Sequence, residues 1–279
     1  MNHFDDTLLA MMAEATYYHE SGKWPEAMAL YRQILDVNPR NPIILHALGL
    51  LHLEFENDDE ALQNIDEAIA LDPKSALFYR SYGNVLLKKK RFDEAIGAYQ
   101  ISLYLDPKNT DTLENLAKLY QEKDDMLSAI AHYKEMATYP HLASKAHFCL
   151  AECFYKMGFF DDALNHYAEV YAAMPFSLHV TLRYTELLLQ TRAYDDCLSV
   201  VKHGLAYYPR SHVLHHHKAK ALFLQGDYES SLQAMEQAIH LCDQDRALYY
   251  DYAQCLQSLG DHASAEKAMK AFRAGGKGG

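Results

Sequence analysis

Residues 61–75 read ALQNIDEAIALDPKS, and residues 95–109 read AIGAYQISLYLDPKN. Each stretch opens on alanine, carries apolar residues at helical spacing and closes on Leu-Asp-Pro-Lys. The two lie 34 residues apart. Stepping by that interval from Ala61 reaches Ala27, Ala95, Ala129, Ala163, Cys197, Ser231 and Ala265, all small. A second small register lies twelve positions upstream: Ala15, Gly49, Gly83, Ala117, Ala151, Thr185, Ala219 and Ala253. Large apolar residues recur in the same phase at Tyr18, Leu86, Tyr120, Phe154, Leu188, Leu222 and Leu256, with His52 as the exception. A further row runs through Tyr31, Ile65, Tyr99, Tyr133, Tyr167, Val201, Met235 and Met269.

Each 34-residue unit therefore holds two helical runs. They are separated by turn residues such as Gly22, Gly158, Gly226 and Gly260. Prolines 39, 73, 107, 175 and 209 end the second run, because proline cannot continue a helix and pushes its predecessor out of the helical region. Pro140 sits one place early, which predicts a turn of different length there. Asn41, Ser75 and Asn109 are placed to cap the next first helix, and Pro42 suits its first position. The small residues stand where two helices must approach closely, and a large side chain there would cost roughly 1–3 kcal/mol in overpacking.

Small, aromatic and proline positions all agreeing in one phase resemble the tetratricopeptide repeat family, and the resemblance covers 272 of 279 residues. It implies an all-α fold, a right-handed superhelical α-solenoid of eight helix-turn-helix repeats. First helices would line the concave side and second helices the outside. The expected organisation is a lead-in at 1–7, an array over 8–274 with repeats 8–41, 42–75, 76–109, 110–143, 144–177, 178–211, 212–245 and 246–274, and a flexible glycine-rich tail at 275–279. One helix pair cannot bury its own apolar face, whereas stacked neighbours can.

Composition narrows the function. Apolar residues make up 49% of the chain, so a sizeable core is expected. The net charge is −12, with −10 of it in residues 1–75. That balance argues against a nucleic-acid partner and against an anionic membrane surface. No run is long enough to span a bilayer and the acidic start MNHFDDT is unlike a signal peptide, so the expected compartment is cytoplasmic. Five cysteines, an odd number, read as free and mostly buried thiols. No phosphate-cradling glycine loop, nucleophile elbow or zinc-protease helix is present, so no enzyme and no cofactor is expected. His212 and His216 lie one helical turn apart, but a tetrahedral metal wants three or four ligands, so no metal is expected either. The run KKKR at 88–91 reads as a solvated turn, or else as a basic localisation signal or docking spot. The cluster Glu54, Glu56, Asp58, Asp59 and Glu60 reads as a solvated face or as an acidic rim that would steer a basic partner. Of the many tyrosines, Tyr82, Tyr99, Tyr133, Tyr167 and Tyr252 fall at packing positions.

First-helix residues that avoid both packing registers should face the groove. The candidate binding set is Arg80, Asn84, Asn115, Lys118, Lys145, Phe148, Glu152, Tyr155, Arg183, Glu186, His216 and Lys220, with His46 among the further positions of the same phase. Mixed cations, amides, carboxylates and aromatics suit an extended peptide or a partner helix. Within this set Arg80, Asn84, Asn115 and Lys145 resemble four of the five members of the carboxylate clamp by which co-chaperones of the family grip a peptide's free C-terminus. Cys149 stands where the fifth, a base, would be, and Glu114 and Glu152 bring the opposite sign nearby. The leading expectation is a non-enzymatic adaptor or scaffold that holds a partner protein's segment. A substrate-recruiting arm of a larger enzyme, such as a glycosyltransferase, is a second reading. Self-association through repeat ends or grooves is a third.

Overall fold

The computed structural model describes residues 3–274, which form sixteen helices and no strand. The expected tail at 275–279 lies outside the described residues. The chain divides after Met136 into two units. The first holds α1 (His3–Glu20), α2 (Trp24–Val37), α3 (Pro42–Glu54), α4 (Asp58–Leu71), α5 (Ala76–Lys88), α6 (Phe92–Leu105), α7 (Thr110–Glu122) and α8 (Met126–Ala137, crossing the division by one residue). The second holds α9 (Ala143–Lys156), α10 (Phe160–Ala173), α11 (Leu178–Gln190), α12 (Tyr194–Tyr207), α13 (His212–Gln225), α14 (Tyr228–Leu241), α15 (Arg246–Ser258) and α16 (His262–Ala274). Helix α1 begins at His3 and so takes in residues that the repeat phase leaves ahead of the first repeat. No helix of the described residues is long and apolar enough to cross a membrane.

Both registers of small residues are buried in full, from Ala15 and Ala27 to Ala253 and Ala265. The reason is distance. A Cβ added at Gly83 would lie 2.6 Å from Tyr99 Cε1, and one at Gly49 would lie 2.7 Å from Ile65 Cγ1. The small side chain of the first helix is thus the seat for the large side chain of the second. Tyr99, Tyr133 and Tyr167 are wholly buried in that row, while Tyr82 and Tyr252 are half-buried at its margin.

The turn between the two helices of every repeat is closed in one way. Gly22, Glu56, Lys90, Asp124, Gly158, Arg192, Gly226 and Gly260 all hold a left-handed backbone, with φ between 58° and 88°. The amide of each following residue donates back to the carbonyl five residues earlier, as Lys23 does to Tyr18 and Arg91 to Leu86, at 2.8 and 2.9 Å. This is the Schellman ending, and it satisfies carbonyls that a helix C-terminus leaves orphaned. The residues supplying those carbonyls are Tyr18, His52, Leu86, Tyr120, Phe154, Leu188, Leu222 and Leu256, the recurring large row of the sequence. His52 is buried there, and its Nδ1 finds no partner among the described residues.

Between repeats, Asn41 and Asn109 accept from amides of the first helical turn, as do Ser177, Ser211 and Asp245. Ser75 makes no side-chain cap. Residues 138–142, around Pro140, link α8 to α9, which starts at Ala143 with Leu142 in a helical cap conformation.

Candidate functional site

The candidate residues stand on first helices, four in the first unit and eight in the second. In the first unit Arg80 and Asn84 on α5 and Asn115 on α7 line one open pocket of about 350 Å³, together with Asp111 and Glu114. Arg80 is ion-paired with Asp111. Asn84 Oδ1 accepts from Tyr99 OH at 2.8 Å and from Asn115 Nδ2 at 2.9 Å. Its oxygen is committed to the protein, so its Nδ2 hydrogens are the donors offered to a ligand. Lys118 is paired with Glu114, one turn away on α7. His46 does not join this face. It is 6% exposed, its Nε2 lies 2.8 Å from Ser81 Oγ, and burial, with the nearby Arg80 charge, pushes its pKa down to about 4.

In the second unit Lys145 sits exposed in the first turn of α9, and Phe148 lies one turn on, with its ring centroid 5.2 Å from that of His179. Glu152, Tyr155, Arg183 and Glu186 come together as one cluster. Arg183 grips Glu152 with Nε and Nη2 at 2.9 and 2.8 Å, reaches Glu186 through Nη1 at 2.9 Å, and lies over the Tyr155 ring at 5.4 Å. Tyr167 OH also donates to Glu152. Burial would raise the Glu152 carboxyl, but the bonds from Arg183 and Tyr167 outweigh it and hold the group below the usual carboxylate range. Further along, His216 Nε2 and Lys220 Nζ meet Asp251 Oδ2 at 2.6 and 3.6 Å. His215 turns instead to the Pro209 carbonyl, at 3.0 Å. Among the described residues no group of three or more His, Cys, Asp and Glu is arranged to hold a metal ion. The five cysteines stand outside any disulfide, and burial pushes the Cys153 pKa up to about 11.

One spacing joins these contacts. Arg80–Asp111, Asn84–Asn115, Glu152–Arg183 and Lys220–Asp251 all link residues 31 positions apart, on neighbouring first helices. Asp111 and Asp251 are the members that the groove reading of the sequence missed. Searching for complementary polar residues one repeat length less three would have found both.

Where first helices end and second helices begin, residues 30 apart form a second ladder. Lys88 meets Asp58 at 2.8 Å, Lys89 meets Asp59 at 2.7 Å, Lys123 pairs with Asp93, and Gln225 donates to Asp195 at 2.8 Å. Arg91 binds Glu94 through two bonds of 2.7 Å. Lys88 and Lys89 of the basic run and the acidic residues 58–59 are therefore each other's partners. Glu54, Glu56 and Glu60 remain as the acidic surface.

The sequence pattern of the tetratricopeptide repeat family matches residues 12–76, 46–110 and 217–278, more than half of the chain. No protein of curated function matches the sequence. Among solved structures the chain resembles a tetratricopeptide repeat protein from Parabacteroides merdae, at 12% identity and a TM-score of 0.58 over 90% of this chain and 99% of that one. It also resembles MamA (41-end) from Desulfovibrio magneticus RS-1, at 16% identity and 0.55 over 60% and 94% of the two chains. A chain of the Naa15/Naa10 structure bound to HypK-THB is similar at 18% identity and 0.60, over 96% of this chain and 42% of that chain. At these identities the likeness is one of fold.

Proposed function

Since the chain belongs to the tetratricopeptide repeat family, we propose that it is a non-enzymatic adaptor that holds a segment of a partner protein along the faces of its first helices. The observation that supports this most directly is the 31-residue ladder. Side chains of that face are tied to one another across helices, so their donors and acceptors are pre-positioned rather than mobile, which lowers the ordering cost of binding. A similar fold occurs in the Naa15/Naa10 structure bound to HypK-THB, where proteins are held together.

The pocket of the first unit favours a particular chemistry. Its lining carries two carboxylates, Asp111 and Glu114, each already ion-paired, Asp111 with Arg80 and Glu114 with Lys118. Asn84 adds amide donors suited to a peptide carbonyl. A segment offering backbone amides and carbonyls fits this lining better than a terminal carboxylate does, and the chain's net charge of −12 favours a basic segment over an acidic one. The test is selection from a displayed library of random peptides against the whole chain. Peptides held by this face should lose binding at least fivefold with Asn84→Ala plus Asn115→Ala, and should weaken as salt rises. Bound peptides indifferent to both changes would refute the reading. Comparing free and amidated C-termini then decides the clamp. Strong preference for the free carboxylate, lost in Lys145→Glu, would restore it.

A further inference from the structure

A mostly apolar pocket of about 120 Å³ is lined by Ala219, Phe223, Leu224, Met235 and Cys255, with Lys220, Asp251 and Gln254 as its polar members. Two repeats earlier the corresponding place is occupied by the chain's own side chains. Shifting by 68 residues carries Phe223 to Tyr155, Met235 to Tyr167, Lys220 to Glu152 and Asp251 to Arg183. There the Arg183 guanidinium lies over Tyr155 and is bound to Glu152, which Tyr167 also holds. The chain plugs that site with its own side chain. At α13–α15 the long arginine is replaced by the shorter Asp251 and the bulky tyrosine by Met235, so the space beside Phe223 is left unfilled.

We propose that this pocket anchors an aliphatic side chain, leucine or methionine, of the partner segment; the proposal deepens the groove-binding function above and rests on it. Size and charge select the occupant. The volume equals about four water molecules, close to that of a small branched hydrocarbon group. The polar rim is already balanced, because Asp251 meets His216 at 2.6 Å and Lys220 at 3.6 Å. An incoming cation would face Lys220, and an anion would face Asp251. An uncharged apolar group meets neither penalty and covers Phe223, Met235 and Leu224, the last of which is 50% exposed. The polar pair at the mouth remains available to the peptide backbone on either side of the anchor.

The test uses the full chain and capped amino acids, which are too short to read the rest of the groove. N-acetyl-leucinamide, N-acetyl-alaninamide and N-acetyl-argininamide are titrated while the Met235 methyl resonance is followed by NMR. The leucine derivative should shift that methyl saturably, at least tenfold more tightly than the alanine one, and the arginine derivative should do no better than alanine. Lys220→Glu with Asp251→Arg transplants the plug of the α9–α11 site and should abolish the response. Met235→Tyr, which copies Tyr167 and is followed through the Phe223 ring signals, gives a second closed form should the pair fail to fold. Equal binding of leucine and alanine, preference for arginine, or a leucine response that survives in either closed form would overturn the proposal. If peptides selected on the groove still depend on Asn84 and Asn115 while the pocket fails this test, the anchor falls and the adaptor function stands.

Discussion

At the scale of single residues, the histidines carry the sharpest consequences. His46 and His217 are held neutral with pKa values near 4, mainly by burial, with help from Arg80 in the first case and from His216 and Lys220 in the second. Each accepts or donates one bond that burial makes specific, His46 to Ser81 and His217 to Thr185 at 2.7 Å. In the unfolded chain both would titrate near the ordinary value of about 6.5. Between that pH and about 4 the unfolded state binds more protons, so stability falls as pH falls through this window and is unaffected by these groups above it. Urea midpoints should therefore drop between pH 7.5 and pH 4.5, and His46→Gln with His217→Gln should flatten much of that slope; an unchanged slope would mean other groups set it. His52 presents the opposite case. It is 8% exposed, stands in a row of large apolar residues and leaves Nδ1 unpaired. His52→Leu removes a buried polar atom without a partner, a defect that typically costs about 1–3 kcal/mol, and should raise the thermal midpoint. A lower midpoint would show that the ring has a role that its contacts do not reveal.

At the scale of elements, the eight left-handed turns are the most regular feature of the chain, yet only four of them use glycine. A left-handed conformation costs an ordinary residue roughly 1–2 kcal/mol, against roughly 0.5–1 kcal/mol of extra backbone entropy for glycine. Lys90→Gly and Arg192→Gly should each stabilise the protein by about 0.5–1 kcal/mol. Asp124→Gly should gain less, because aspartate tolerates this region better. Gly226→Ala should lose about 1 kcal/mol. Denaturant midpoints at constant slope measure all four, and equal effects at Lys90 and Asp124 would contradict the conformational explanation. These turns also show what was legible in the sequence. Glycine marked four of them, and the fixed interval located the rest, because every repeat must close the same geometry. The small registers were legible for the same reason: a close helix contact admits few side chains. The ladders were not. Lysine and aspartate are free to point in many directions, so the basic run at 88–91 and the acidic residues 58–59 read as two separate surface features, although the fold pairs Lys88 with Asp58 and Lys89 with Asp59. Arg80 looked like a free donor for the same reason, since nothing local marks Asp111 as its partner. Such exposed pairs contribute at most about 1 kcal/mol each, so they shape the surface more than they hold it together.

At the scale of the whole molecule, the division after Met136 has a physical content beyond geometry. Stability in a repeat array is approximately a sum of intrinsic repeat terms and nearest-neighbour terms, so a run of several repeats with its own core should fold without the rest. Each unit holds buried clusters of its own. Tyr31, Ile34 and Leu51 form one cluster in the first unit, and Ile65, Leu86, Tyr99 and Leu116 form another. In the second unit Tyr167 packs with Leu187, Leu188 with Val201 and Leu214, and Met235 with Leu248. The segment 138–142, where Pro140 falls one place early, is the natural place to separate them. Residues 1–138 and 139–279, produced as two polypeptides, should each show cooperative thermal unfolding, and their far-ultraviolet helical signals should sum to that of the intact chain. The pocket beside Phe223 and the pocket beside Arg80 would then be carried by separate polypeptides. N-acetyl-leucinamide should shift the Met235 methyl in 139–279 as it does in the intact protein, and should leave 1–138 untouched. A half that is unfolded alone would show that nearest-neighbour terms dominate intrinsic ones, and that the binding faces exist only in the full array.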